Sequence, residues 1–243
     1  MLLVGGIAAL TALGWLYTLD LAADMAAMRA AMPDMPMRPW GVPELAGTFV
    51  VWAVMMVAMM LPSATPAILM YARMRHPRTA RLRRVTLFVG GYLAAWTLFS
   101  AGATLLQWGL HEAALLSKAM AVDSRWALGG TLLAAGLYQL SPWKYACLRH
   151  CQSPLGFFFG HWRDGALGSL RMGIDHGLYC VGCCWLLMLL LFVVGIMNLL
   201  WVAGLAVYVL LEKLVPGERV FAGLTGAALA GGGLVVLLVP LLD

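Results

Sequence analysis

Long unbroken apolar runs are the feature of this sequence that most restricts its fold. Backbone N–H and C=O groups in lipid must be satisfied within the spanning segment, so each helical crossing needs about 20 mainly apolar residues. Seven stretches meet or approach this length, and they cover residues 2–19, 45–70, 85–108, 126–140, 177–197, 199–214 and 220–242. They lack the polar/apolar alternation of barrel strands. The pattern predicts an all-α fold, a polytopic transmembrane helical bundle.

The composition excludes most soluble classes of protein. Charged residues make up 11% of the 243 residues and hydrophobic residues 63%, whereas soluble domains carry about a quarter charged residues. The net charge of +5 comes from few, clustered arginines rather than a basic surface, which argues against nucleic acid as a partner. Because no repeat or linker divides the chain, we treat residues 1–243 as a single integral membrane domain.

The number and direction of the crossings follow from segment length and charge. The fourth and sixth stretches are short, so six spans with one re-entrant helix are an alternative to about seven spans. Residues 71–84 hold six arginines and no acidic residue, and Lys and Arg favour the cytoplasmic side of a membrane. With seven spans, the N-terminus is expected in the cytoplasm and the C-terminus outside it.

All five cysteines lie between positions 147 and 184, in two groups. In the first group Cys147 and Cys151 are four residues apart, so on a helix their thiols share a face. The second group forms a stripe of soft donors at steps of three to four residues, which comprises His176, Cys180, Cys183, Cys184 and Met188. Neighbouring side chains on a helix point about 100° apart. The two adjacent cysteines therefore join one site only if the site is wide or Gly182 loosens the backbone.

Two chemistries fit such a group of thiols, and a third interpretation is structural. Thiolate and imidazole donors bind Cu(I) or Zn²⁺. Alternatively, Cys180 and Cys183 form the C-x-x-C dithiol of a membrane thiol oxidoreductase. The charge count puts the cysteines near the cytoplasmic face, where thiols are normally reduced, so metal binding is favoured. In the structural interpretation, the cysteines pack as small buried hydrophobes in a scaffold protein.

Methionines are concentrated in two segments. In the second apolar stretch Met56 and Met60 lie four residues apart on one face, and Met59 pairs with Met55 in the same way. Thioethers are soft donors for Cu(I), although methionine also fills membrane cores. An outer segment contains Met25, Met28, Met32, Met35 and Met37. This segment is interpreted either as a metal-capturing region or as an apolar stripe on the membrane surface.

Polar residues and prolines inside apolar stretches mark further candidates. Glu212, at the end of the sixth stretch, is predicted to balance the charge of a bound cation. Lys213 has a simpler interpretation, in which its side chain extends to the cytoplasmic headgroups. Pro62 and Pro66 predict a kink or unwinding at the inner end of the second span.

Four segments form a compound pattern, namely VWAVMMVAMMLPS, GLYQLSPWKYACLRHCQSPLGF, RMGIDHGLYCVGCCWLLMLLLFVVGIMNLLW and AVYVLLEKL. With this pattern the chain resembles a bacterial family of predicted metal-binding integral membrane proteins of unknown function, over residues 2–217. Val51 departs from the family pattern, which commonly has methionine there. The positions that match the family's motifs are Met56, Met59, Met60, Pro62, Gln139, Pro142, Lys144, Cys147, Cys151, Pro154, Trp162, His176, Gly177, Cys180, Cys183, Cys184, Trp185, Met188, Met197, Asn198, Glu212 and Lys213.

Residues and resemblance together predict a protein that binds a soft transition metal and moves, delivers or senses it. Copper as Cu(I) is the expected ion and zinc the alternative. The expected partners are the lipid bilayer, the metal ion and a metal-accepting or metal-donating protein, and the resemblance implies the bacterial cytoplasmic (inner) membrane. No nucleotide-binding loop or hydrolase motif is recognisable, which argues against an enzyme. The predicted metal ligands are His176, Cys180, Cys183, Cys184, Cys147, Cys151, Met188, Met56, Met59, Met60 and Glu212.

Overall fold

The computed structural model describes residues 2–31, 40–74, 79–117, 121–122, 124–196, 198–215 and 218–238. Within these ranges the chain forms nine α-helices and no strand, apart from one isolated antiparallel bridge between Leu116 and Val122. The helices are α1 (Leu2–Ala31), α2 (Val42–Arg73), α3 (Arg81–Glu112), α4 (Arg125–Gln139), α5 (Pro142–Gln152), α6 (Pro154–His161), α7 (Gly165–Val194), α8 (Leu199–Leu214) and α9 (Glu218–Leu238). The predicted all-helical class is confirmed.

Among the described residues, five helices are long and apolar enough to cross a membrane, namely α1, α2, α3, α7 and α9. The stretches expected to form the fourth and sixth spans are α4 and α8, which contain 15 and 16 residues. Both are shorter than the about 20 residues that a straight crossing needs. The expectation of about seven spans is therefore not confirmed.

Two Ser-Pro pairs divide the polar segment before α7 into short helices. The hydroxyls of Ser141 and Ser153 accept hydrogen bonds from backbone N–H groups three residues further on, at 3.2 and 3.4 Å. Pro142 and Pro154 follow in the first turn of α5 and α6, where a missing backbone N–H leaves no helical bond unmade. These caps fix the start of α5, which packs with its two cysteines against α7.

The prolines of α2 do not interrupt the helix. Pro62 and Pro66 both lie inside it, and the backbone stays helical from Val42 to Arg73. The unwinding expected at these prolines is therefore not observed. Ser63 Oγ donates a hydrogen bond to the Met60 carbonyl at 2.9 Å. α2 packs against α1, α3 and α8, and neighbouring helices are one way in which a membrane helix accommodates proline.

Close backbone packing joins α3 to α7. A Cβ atom added at Gly173 would overlap the carbonyl group of Phe88, and one added at Gly91 would overlap the backbone of α7. Residues without a side chain let two helices approach this closely. The contact brings Tyr92, the neighbour of Gly91, against the middle of α7, where Cys180 lies.

Candidate metal centre

Cys180 lies in a buried polar cluster formed by α2, α3, α7 and α8. Its Sγ is 2.7 Å from the Lys213 ammonium and 3.1 Å from the Tyr92 hydroxyl. Lys213 Nζ also donates to Ser63 Oγ at 3.0 Å, and the Tyr92 hydroxyl lies 3.0 Å from the Met60 carbonyl oxygen. All five side chains are buried. A thiol, an ammonium and two hydroxyls therefore meet in a site shielded from water.

The charge on Lys213 defines the chemistry of this cluster. Lys213 is 5% exposed, and within the described residues it forms no ion pair with a carboxylate. A buried ammonium is costly unless a negative group compensates it. The Cys180 sulfur is at contact distance and can supply that charge, so the pairing favours the thiolate, the form of cysteine that binds metals. The interpretation that Lys213 extends to the headgroups is wrong, because its ammonium points into the core.

Three further thiols converge on Cys180. The thiols of Cys183 and Cys184 turn back along α7 and donate to the Cys180 carbonyl oxygen at 3.0 and 3.1 Å. Cys151, on α5, lies close enough to Cys180 and Cys183 for both thiols to influence the pKa of its own. The adjacent pair thus reaches one region from a regular helix, so no loosening at Gly182 is needed.

The two thiols of α5 differ in burial. Cys151 is 8% exposed, and the nearby thiols of Cys180 and Cys183, together with burial, raise the pKa of its thiol well above the usual range. Cys147 is only partly buried, and desolvation raises the pKa of its thiol. Its Sγ packs against Gly182, where an added Cβ would lie 2.9 Å from the sulfur. Cys151 therefore belongs to the buried cluster and Cys147 lies at its edge.

His176 lies one helical turn before Cys180 and is 2% exposed. Its ring is enclosed by Phe157, Tyr92 and Phe88, whose ring centroids are 5.0, 5.9 and 6.0 Å away. Its Nδ1 has no hydrogen-bond partner among the described residues. Buried polar atoms in native proteins are nearly always satisfied. An orphaned imidazole nitrogen at this position is therefore available to a ligand.

A second buried polar centre lies beside the first. The Glu212 carboxylate forms an ion pair with the Lys144 ammonium at 2.8 Å, and both side chains are shielded from solvent. Tyr208 donates to the other carboxylate oxygen at 2.9 Å, and Gln139 donates to Tyr208 at 2.6 Å. Lys144 also donates to the Cys183 carbonyl at 2.9 Å. The cation that Glu212 balances here is Lys144, so its role toward a bound metal ion stays a prediction.

The methionines expected to bind metal lie in the apolar core. Met56, Met59 and Met60 on α2 are at most 1% exposed, and Met188 on α7 is fully buried. Met60 is linked to the Cys180 cluster through the Tyr92 hydroxyl. The outer methionine segment begins on α1, and Met32, Met35 and Met37 lie outside the described residues, as does Met197.

The structure brings four predicted cysteine ligands together and adds side chains that sequence reasoning did not select. Tyr92 and Ser63 gave no signal in the sequence. Lys144 and Lys213 did give a signal, because these two of the three lysines in the chain border apolar stretches.

Within the described part of the chain, no group of three or more His, Cys, Asp or Glu side chains is spaced to hold a metal ion. A preformed site with three or more such ligands is therefore not present in those residues.

Residues 49–236 match the model of a family described as PpoB2, copper chaperone. The chain belongs to this copper chaperone family. The match includes both cysteine groups and most of α2 and α9, so it covers both polar centres. The expected link to a metal-related family is confirmed, and the family indicates copper handling. No curated protein and no solved structure matches the chain significantly. Neither the family nor the five free cysteines support the thiol oxidoreductase alternative.

Proposed function

We propose that this protein is a membrane-embedded copper chaperone that holds Cu(I) at Cys180 and delivers it to an accepting protein. The observation that carries the proposal is the 2.7 Å contact between Cys180 Sγ and the buried Lys213 ammonium. The contact keeps a thiolate in a place where water cannot reach it. Cys151 and Cys183 are the neighbouring thiols from which a second ligand can come, and His176 is a further donor one turn away.

The donor set favours Cu(I) over zinc. Structural zinc sites have four nitrogen or sulfur ligands in a tetrahedron. Among the described residues no three His, Cys, Asp or Glu side chains are spaced for one ion. Cu(I) is softer, accepts thioethers and tolerates low coordination numbers, so it suits a site made from one thiolate and its neighbours. Methionines in the adjoining core add soft groups around it.

Charge balance supports reversible binding. Cu(I) carries the same single positive charge as the Lys213 ammonium. When Cu(I) binds the Cys180 thiolate, Lys213 releases a proton to solvent and becomes neutral. One positive charge is exchanged for another, so the interior holds no uncompensated charge in either state. This is the property needed by a protein that takes up an ion and later releases it.

We place the chaperone in the bacterial cytoplasmic membrane, with its N-terminus in the cytoplasm and its C-terminus outside. The five apolar helices and the arginine-rich segment at residues 71–84 support this orientation. Labelling of single exposed cysteines with an impermeant reagent in intact cells tests it. Cysteine introduced at position 79 should be protected, and labelling there in intact cells would reverse the orientation.

The test of the metal centre is the copper content of protein purified in detergent without oxygen. Wild type should carry about one copper per chain, and Cys180→Ser should lose it. Cys147→Ser is the matched control, because this thiol lies on the edge of the cluster, and it should keep the copper. Circular dichroism and gel filtration establish that each variant is folded. Sulfur-coordinated copper retained by folded Cys180→Ser would overturn the proposal, and zinc in place of copper would show that the bound ion is not Cu(I).

A further inference from the structure

A second group of imidazoles lies where α5 and α6 end. His150 is in the last turn of α5 and His161 in the last turn of α6. Their ring centroids are 5.6 Å apart, and the two planes are inclined at 80°. Both residues are only partly buried, unlike His176. These two histidines have no place in the thiolate centre described above.

The hydrogen bonds of the two rings fix which nitrogen faces outward. His150 Nδ1 lies 2.8 Å from the Ala146 carbonyl oxygen, and His161 Nδ1 lies 3.1 Å from the Phe157 carbonyl oxygen. A carbonyl oxygen only accepts, so Nδ1 carries the proton in each ring and Nε2 presents a lone pair. Metal-binding histidines in proteins are oriented in the same way, by a hydrogen bond from their other nitrogen to a carbonyl group.

Tyr179 brings the two imidazoles together. The His150 ring stacks on the phenol ring with centroids 4.0 Å apart and planes inclined at 3°. The Tyr179 hydroxyl lies 3.3 Å from His161 Nε2. Because Nδ1 is protonated, the hydroxyl donates this bond, and its length makes it weak. A metal ion that binds His161 Nε2 displaces only this one weak contact.

The spacing of the rings fits a shared metal ion. With a metal–nitrogen bond of about 2.0 Å, the ion lies about 3 Å from each ring centroid, so centroids up to about 6 Å apart are compatible with one ion. The observed 5.6 Å lies within this limit. Imidazole is a ligand suited to copper.

A cavity gives access to His150. It has a volume of about 400 Å³, and its lining includes His150, Ser153, Phe157 and Arg149. The Arg149 guanidinium repels a divalent cation more strongly than a monovalent one. The cavity therefore favours Cu(I) over a divalent ion.

Phe157 separates these histidines from the thiolate centre. Its ring is stacked on His161, with centroids 4.9 Å apart, and it contacts His176 edge-on at 5.0 Å. His176 lies one turn from Cys180. We infer that His150 and His161 form an outer copper site that loads the Cys180 centre past Phe157. The inference rests on the proposed function for the identity of the ion.

The test is an anaerobic titration with Cu(I) against a chromophoric Cu(I) chelator, with the ligand atoms identified by X-ray absorption. Wild type should bind a sulfur-coordinated copper and then a weaker nitrogen-coordinated copper. The double variant His150→Gln/His161→Gln should keep the first and lose the second, and it should fill the thiolate site about tenfold more slowly. His111→Gln, at the end of α3, is the matched control and should bind both ions.

The outcomes separate this inference from the proposed function. Cys180→Ser should lose the sulfur-coordinated copper and keep the nitrogen-coordinated one. No sulfur-coordinated copper in wild type would refute the proposed function, whereas a second copper that persists in the folded double variant would refute the outer site. If the double variant does not fold, His161→Asn alone decides, since one ligand is enough to abolish the nitrogen-coordinated ion. Wild type that binds only one copper overturns the outer site as well.

Discussion

The adjacent residues Glu212 and Lys213 enter two different buried polar centres. Side chains of neighbouring residues on a helix diverge by about 100°, so Glu212 meets Lys144 while Lys213 meets Cys180. In the Lys144–Glu212 centre an ammonium faces a carboxylate, and Tyr208 donates a further hydrogen bond to that carboxylate. In the Cys180–Lys213 centre an ammonium faces a sulfur. In the Lys144–Glu212 centre each charge is compensated within the bundle, whereas the Cys180–Lys213 centre holds the sulfur that is the copper ligand in the proposed function.

Lys144 of the Lys144–Glu212 centre also forms a hydrogen bond to the backbone of α7 that carries the thiols. Lys144 donates to the carbonyl of Cys183, and Tyr138 donates to the carbonyl of Gly182. Both carbonyls belong to the turn of α7 between Cys180 and Cys184. Two lysines with similar burial therefore have different partners, Lys144 a carboxylate and Lys213 a sulfur, and the proposed function assigns the metal chemistry to Lys213.

The largest effect should follow when Lys144 is removed. Lys144→Met leaves the Glu212 carboxylate buried without its cation, and breaking a buried ion pair from one side costs about 3–5 kcal/mol of unfolding free energy. Denaturant titration in detergent micelles, followed by circular dichroism, measures the loss. Lys144→Met/Glu212→Gln removes both charges and should recover most of it. The control is Glu112→Gln, an exposed carboxylate at the end of α3. If Lys144→Met costs no more than this control, Lys144 has no structural role.

Removal of Lys213 should affect copper binding more than folding. In Lys213→Met the buried Cys180 sulfur has no ammonium beside it and holds a proton that copper must displace. We expect the affinity for Cu(I) to fall about tenfold, as it does when groups that orient or polarise a metal ligand are removed. Competition with a Cu(I) chelator measures it. Lys213→Arg keeps the charge and should restore much of the affinity. Equal affinities in Lys213→Met and wild type would mean that the two centres do not differ as described.

The smallest effect concerns the contact between the helices of the two centres. Cys147 on α5, the helix of Lys144, packs against Gly182 on α7, the helix of Cys180. Gly182→Ala puts a methyl group 2.9 Å from the Cys147 sulfur, and we expect a loss of about 1 kcal/mol in unfolding free energy. Gly90→Ala is the matched control, because an added Cβ there meets nothing within 4 Å. It should be neutral or stabilising, since alanine favours a helix. The same change in both variants would show that the contact contributes nothing.

Part of this architecture is predictable from local sequence. The apolar runs predict the long helices, and the Ser-Pro pairs at residues 141–142 and 153–154 explain the short ones. The count of about seven spans is not confirmed, because α4 and α8 are too short for a straight crossing. Pro62 and Pro66 predict a kink or unwinding, yet the backbone of α2 stays helical through both. Local propensity does not account for the surrounding helices that support a helix at these positions.

The sequence by itself determined the helical class, the apolar spans and the clustering of soft donors, since these depend on composition and on spacing within one helix. Tertiary structure alone decided which cation faces which anion. Lys144 and Glu212 are 68 residues apart, and Cys180 and Lys213 are 33 residues apart. Their contacts depend on how α5, α7 and α8 pack, and the close approach of α3 brings Tyr92 to the sulfur. Burial removes competing water, so the packed neighbours, rather than residue type alone, decide how each buried charge is compensated.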